Sequence, residues 1–153
     1  MSRVAVGGTF NPLHDGHKAL LIRAYQLSSG GEVLIGITSN EMAGKKYHEV
    51  EDWEVRKQAV MAFIQDTLGS SPLIVRLEDP FGLTLEEDFD YLVVSPETES
   101  TAHLINTRRA ELGKRPIGIE RIEYVLAGDG SPISSTRVLQ GGIDIHGNML
   151  QHR

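Results

Sequence analysis

Short apolar runs and amphipathic stretches alternate along this chain almost without interruption, and that alternation is what most narrows the folds open to it. "RVAVGG" reads as a buried strand that ends in two glycines. Lys18 to Ser29 follows with helical spacing: Leu20, Ala24 and Leu27 lie on one face, Leu21 and Tyr25 beside it, and Gly30-Gly31 stops the turn. "EVLIGITS" is apolar through its middle, as strands covered on both faces are. "EVEDWEVRKQAVMAFIQDTLG" begins with acids that favour a helix dipole, and its apolar stripe is expected at Val55, Ala59, Ala62 and Phe63. "PLIVRLEDP" and "DYLVVSP" read as the third and fourth strands, followed by a helix from about Thr98 to Leu112. "GIERIEYVLA" is the fifth strand, and "SSTRVLQGG" opens a last short helix. This order predicts right-handed crossovers and an α/β fold over residues 1–153. It is a single-domain, Rossmann-like parallel five-stranded sheet with helices on both faces.

Such sheets bind ligands beyond the carboxyl ends of their strands, where the strand order reverses. The segments to search are therefore Gly8 to His17, Thr38 to Lys46, Ser95 to Thr98 and Ser131 to Arg137.

Composition removes several classes of function. With no cysteine there are no disulfides, thiolate metal sites or thiol nucleophiles. A net charge of −6, with no Lys/Arg run longer than two, argues against a nucleic-acid binder. It leaves room for a locally basic pocket that takes an anionic metabolite. No apolar stretch approaches the ~20 residues of a membrane span, and the start lacks a signal peptide, so a cytoplasmic protein without membrane contact is expected.

The first candidate site is "GGTFNPLHDGH", residues 7–17. Gly7, Gly8 and Gly16 allow tight turns and close approach of a ligand to the backbone. The N–H groups opening the next helix favour an anion. His14 and His17, three apart, can project to one side and donate hydrogen bonds to phosphate oxygens; with further ligands they can equally bind a metal. The second is "PISSTRV", residues 132–138, where Ser134, Ser135 and Thr136 precede a helix beside Arg137, a bidentate phosphate ligand by chemistry. Two anion sites on one sheet edge suggest a polyphosphate held between them. Neither a Walker A nor a G-x-G-x-x-G pattern is present. Lys45 and Lys46 follow the second strand, where one of them can meet an acceptor phosphate; spacing does not say which. Arg108 and Arg109 are weaker candidates, because helical arginines usually face solvent. Glu86-Glu87-Asp88 reads as a solvated turn, and His48, His103, His146 and His152 belong to no motif.

"GGTFNPLHDGH" together with "ISSTR" resembles the signature pair of the H-x-G-H nucleotidyltransferases. "VLIGITSNEMAGKK", "EDPFG", "VVSPET", "INTRR" and "DGSPISSTRV" extend the likeness, in order and over most of the chain, to the archaeal and eukaryotic-type phosphopantetheine adenylyltransferases. That resemblance implies transfer of AMP from ATP to 4′-phosphopantetheine, with Mg²⁺ accompanying ATP. Dephospho-coenzyme A or coenzyme A would act as product or feedback ligand. It implies His17 and His14 at the ATP phosphates, with Lys45 and Arg137 as further catalytic groups. Gly8, Thr9, Phe10, Gly16, Lys18, Glu97, Ser134, Ser135, Thr136 and Arg137 would contact ATP, and Thr9, Asn11, Lys45, Lys46 and Arg108 the acceptor. Asn11-Pro12 stands where this branch usually has Asp after Phe. That spelling is shared with nicotinamide or nicotinate mononucleotide adenylyltransferases, which supply the alternative acceptor; a phospho-alcohol cytidylyltransferase is the other alternative.

Overall fold

A computed structural model describes residues 1–44 and 50–150. Five strands form one parallel sheet: β1 (Arg3–Gly8), β2 (Glu32–Thr38), β3 (Leu73–Leu77), β4 (Tyr91–Val94) and β5 (Gly118–Arg121). Their order across the sheet is β3-β2-β1-β4-β5. The chain runs outward from β1 to β3 and then returns to add β4 and β5 on the other side of β1. The order therefore reverses between β1 and β4, and a crevice opens beyond their carboxyl ends.

The helices are α1 (Asp15–Ser28), α2 (Asn40–Ala43), α3 (Trp53–Phe63), α4 (Glu99–Glu111) and α5 (Ser135–Leu139). Strand alternation sorts the core into two layers. Val4, Val6, Val33, Ile35, Ile37 and Val93 point to one face, where they pack with Leu21, Ala24, Trp53 and Val60 of α1 and α3. Ala5, Leu34, Leu92 and Val94 point to the other, against Ala102 and Ile105 of α4. A third, smaller cluster of Ala127, Ile133 and Ile143 supports the chain after β5. The parallel sheet with helices on both faces is as the alternation implies.

Several local readings need correction. The first helix begins at Asp15 rather than Lys18, because His14 caps it. The fifth strand pairs only over Gly118–Arg121; beyond it Ile122 N–H still bonds the Val94 carbonyl before the chain turns away. In α3 the buried face is Trp53, Arg56 and Val60, continued by Ile64, whereas Val55 is half exposed and Ala59 and Ala62 face solvent. The buried face is rotated from the expected stripe toward Arg56, whose guanidinium finds acceptors inside the fold. Arg109, expected to face solvent, is likewise buried at 0% exposed. The acidic run is not simply solvated, since Glu87 pairs with Arg3 and Asp88 with Arg109.

Candidate active site

The turn leaving β1 is held in an unusual conformation. Phe10 has φ 54°, a left-handed geometry that costs a non-glycine residue about 1–2 kcal/mol. Burial of its ring to 1% exposure offsets that cost. The ring lies 5.1 Å from that of His17.

His14 then serves as the N-cap of α1. Its Nδ1 accepts the Gly16 N–H at 3.0 Å and the His17 N–H at 3.4 Å, while His17 Nδ1 accepts the His14 N–H at 3.3 Å. This is a capping box built from imidazoles. Its chemical consequence concerns tautomers. With both Nδ1 atoms used as acceptors, each neutral ring carries its proton on Nε2, as a donor. The rings stack with centroids 3.8 Å apart and planes 18° apart. Burial lowers the His14 pKa to about 4, so this ring is neutral at physiological pH. A Cβ on Gly16 would come within 2.8 Å of the His14 ring, which explains the glycine at that position.

His14, Gly16 and His17 line a cleft of about 480 Å³ together with Glu97 and Ser95 after β4, Ile122–Val125 after β5, and Pro132–Thr136. The imidazole pair and the hydroxyl cluster thus face one another across a single space. Ser134 is itself an N-cap, accepting the Arg137 N–H at 3.2 Å.

A second cleft, of about 290 Å³ and mostly apolar, opens on the other side of the β1 turn. Gly8, Thr9, Thr38, Met42, Val94, Thr98, Thr101 and Ile105 contribute to its walls. The Thr38 hydroxyl bonds the Thr9 hydroxyl at 3.0 Å. The loop that leaves β1 thus lines both clefts, the second through Gly8 and Thr9 and the first through His14, Gly16 and His17, an arrangement that can serve two substrates.

Not every residue proposed from sequence reaches these clefts. Arg137 donates to Asp129 Oδ2 at 2.5 Å and to the Pro132 carbonyl at 3.0 Å, so it ties the 129–134 turn together behind the hydroxyl cluster. Lys18 places its ammonium 5.4 Å from the Phe63 ring centre, on the α3 side of α1. Phe10 lies in the core, and Asn11, 3% exposed, accepts the Glu51 N–H at 3.1 Å. Arg108 sits in the last turn of α4, over Phe81, roughly 14 Å along the helix from its site end. Lys45 and Lys46 lie outside the described residues.

Conversely, sequence reasoning missed Arg56. It is 1% exposed, and its guanidinium donates to the Glu51 carbonyl at 2.8 Å, the Thr9 carbonyl at 3.2 Å, Thr38 Oγ1 at 3.2 Å and Asn40 Oδ1 at 3.0 Å. One buried cation thereby fastens the chain after β2 and before α3 to the Thr9 turn. Its only sequence signal was its helical spacing from Trp53 and Val60. The cleft residues Ile122–Val125 were also missed; the overlong fifth strand had concealed that this segment leaves the sheet at the site edge.

Comparison with known proteins agrees with this geometry. Residues 5–141 match the cytidylyltransferase-like family model. The phosphopantetheine adenylyltransferase of Methanosarcina mazei is 47% identical over 97% of both chains, and that of Archaeoglobus fulgidus 45% identical over 97% of this chain and 99% of the other. A crystal structure from Archaeoglobus fulgidus, described as a protein of unknown function, superposes with a TM-score of 0.75 at 43% identity, covering 80% of this chain and 98% of that one. The chain belongs to the cytidylyltransferase-like family and, within it, to the phosphopantetheine adenylyltransferases.

Proposed function

We propose that this chain transfers the adenylyl group of ATP to 4′-phosphopantetheine, giving dephospho-coenzyme A and pyrophosphate. The observation that carries the proposal is that one loop, leaving β1, supplies His14 and His17 to a cleft shared with the Ser134–Thr136 hydroxyls and, a few residues earlier, Gly8 and Thr9 to a second cleft. The first is the more polar of the two and carries imidazoles and hydroxyls on its walls; the second is largely apolar and suited to a pantetheine arm.

An oxygen of the acceptor phosphate attacks the α-phosphorus of ATP, the bond from that phosphorus to the bridging oxygen breaks, and pyrophosphate leaves with the electron pair. The nucleophile is already anionic, so no covalent enzyme intermediate is needed. The work of the protein is to bring two anions into line and stabilise the charge that builds between them. Donors preset in direction suit that task. The Nε2–H groups of His14 and His17 are fixed by the capping box before any ligand arrives, and they add no reorganisation to the reaction. His17 is assigned to the α-phosphate in the transition state, and His14 and the Ser134–Thr136 hydroxyls to the rest of the triphosphate. Glu97 is suited to a ribose hydroxyl. Thr9 is assigned to the acceptor phosphate. Lys45 or Lys46 remains the candidate for a cation brought to the acceptor. Mg²⁺ is proposed to enter with ATP, coordinated by phosphate oxygens and water; among the described residues no three His, Asp or Glu side chains converge as a ligand set.

The test is pyrophosphate release with Mg-ATP and, in separate reactions, 4′-phosphopantetheine or nicotinamide mononucleotide, with a CTP and glycerol phosphate reaction alongside. Release with phosphopantetheine alone is expected. Release only with the mononucleotide, or only in the CTP reaction, would reassign the acceptor.

A further inference from the structure

The chain after α5 returns to the H-x-G-H motif, and nothing in the proposed chemistry uses it. The Asp15 N–H, in the first turn of α1, donates to the Ile145 carbonyl at 2.9 Å. His146 Nδ1–H donates to Asp15 Oδ1 at 3.0 Å. One residue later the same segment bonds the chain that leads to the other wall of the cleft: the Gly147 carbonyl accepts the Gly128 N–H at 2.8 Å. Gly147, at φ 82°, is seated so closely that a Cβ would lie 2.8 Å from Ile133 Cδ1 and 2.9 Å from Ala127 Cα. Ile143, 0% exposed, packs with those same two residues. Asp144 stiffens the turn by accepting the N–H groups of His146 and Asn148 at 2.9 Å each.

We infer that Ile143–Met149 is a brace that sets the spacing between the imidazole pair and the Ser134–Thr136 hydroxyls, with His146 on Asp15 as its latch. His146 is then a positioning residue for the ATP half of the reaction. It touches no reacting atom and acts through Asp15, the variable residue of the H-x-G-H motif. The inference rests on the proposed adenylyl transfer for its assignment of that cleft to ATP.

The latch is exposed, with side chains 55% and 33% accessible, so His146→Ala should fold normally. Exposed pairs of this kind are weak. His146→Ala should therefore weaken Mg-ATP binding, measured by calorimetry without acceptor, by about two- to fivefold. The KM for phosphopantetheine should stay unchanged. His146→Asn places an amide N–H where Nδ1 stood and should restore wild-type ATP binding. Gly147→Val unseats the whole turn and should weaken ATP binding at least tenfold. A merely structural role would lower the melting temperature and leave the ATP-to-acceptor ratio untouched. Unaltered ATP binding in His146→Ala and Gly147→Val, or equal weakening of both substrates, would overturn the brace. Wild-type protein that binds Mg-ATP but releases no pyrophosphate would instead count against the proposed reaction.

Discussion

Two arginines, Arg56 and Arg109, are buried almost completely at opposite edges of the sheet; Arg109 spends its donors chiefly on backbone carbonyls, whereas Arg56 divides its four between two carbonyls and two side chains. Arg109 holds the amino edge: it donates to the carbonyls of Arg115 at 2.8 Å, Thr84 at 2.7 Å and Glu87 at 3.0 Å, and its charge meets Asp88 directly. Arg56 holds the carboxyl edge, and among the described residues no carboxylate stands within ion-pair distance of it. Asn40 intervenes, accepting from Arg56 and donating to Asp52 at 2.7 Å. Among the described residues, then, the buried cation at the carboxyl edge, where anions are proposed to bind, has no direct counter-charge, whereas the one at the far edge is neutralised. In a medium of reduced dielectric, the Arg56 field would act on an anion bound at the Thr9 turn, as proposed for the acceptor phosphate. Burial alone does not mark a functional arginine; its place in the topology and its counter-ion do.

The contrast predicts different kinetic signatures. The largest effect is expected at the carboxyl edge itself, where His17→Ala should lower turnover by about 10²-fold or more with little change in ATP affinity, as loss of a transition-state contact does. Unaltered turnover in a folded variant would remove His17 from that role. Arg56→Lys keeps the charge but lacks the fork needed for four acceptors. The Thr9 turn should shift, and kcat/KM for the acceptor should fall about tenfold or more while the KM for ATP holds. Arg109→Lys should leave both kinetic constants within about twofold while costing about 2–4 kcal/mol of stability, because buried carbonyls lose partners. Denaturant unfolding and steady-state kinetics on both variants decide the matter. If Arg109→Lys impairs the acceptor step as strongly as Arg56→Lys, the two edges are not distinct.

These residues also show what the sequence could and could not convey. Apolar runs and helical spacing located all five strands and the principal helices, because the central strands are covered on both faces and the helices bury one. The H-x-G-H and Ser-Ser-Thr segments were legible as neighbours on one cleft because strand-to-helix turns gather at the carboxyl edge of a parallel sheet whatever the rest of the chain does. Arg56 and Arg109 were not legible, since a buried arginine depends on carbonyls that only the folded chain brings to it. His146 was invisible for the same reason: its partner, Asp15, lies 131 residues away. Arg137 was misjudged in the opposite sense. Its chemistry suits phosphate, but Asp129, eight residues before it, claims the guanidinium.

The two edges should also respond to acid in separate windows. His14 has a folded pKa of about 4 against an ordinary 6.5. Between those values the unfolded chain takes up a proton that the folded chain refuses. Stability therefore falls as pH drops through 6.5, by at most about 3 kcal/mol, and this loss is complete near pH 4. His14→Asn retains a capping acceptor without the titration, so its stability should be flatter across that window. At the amino edge the hydrogen bond from Arg109 holds the Asp88 carboxyl below its ordinary 3.8. That contribution is present above 3.8 and disappears only as pH falls through the lower folded value. Asp88→Asn should thus leave the 6.5-to-4 slope intact and diminish only the loss beneath 3.8, the smallest of these effects because the carboxylate is 60% exposed. Urea midpoints measured from pH 7 to pH 3 separate the two. A slope between 6.5 and 4 that survives in His14→Asn, or vanishes in Asp88→Asn, would show that acid sensitivity does not divide between the edges in this way.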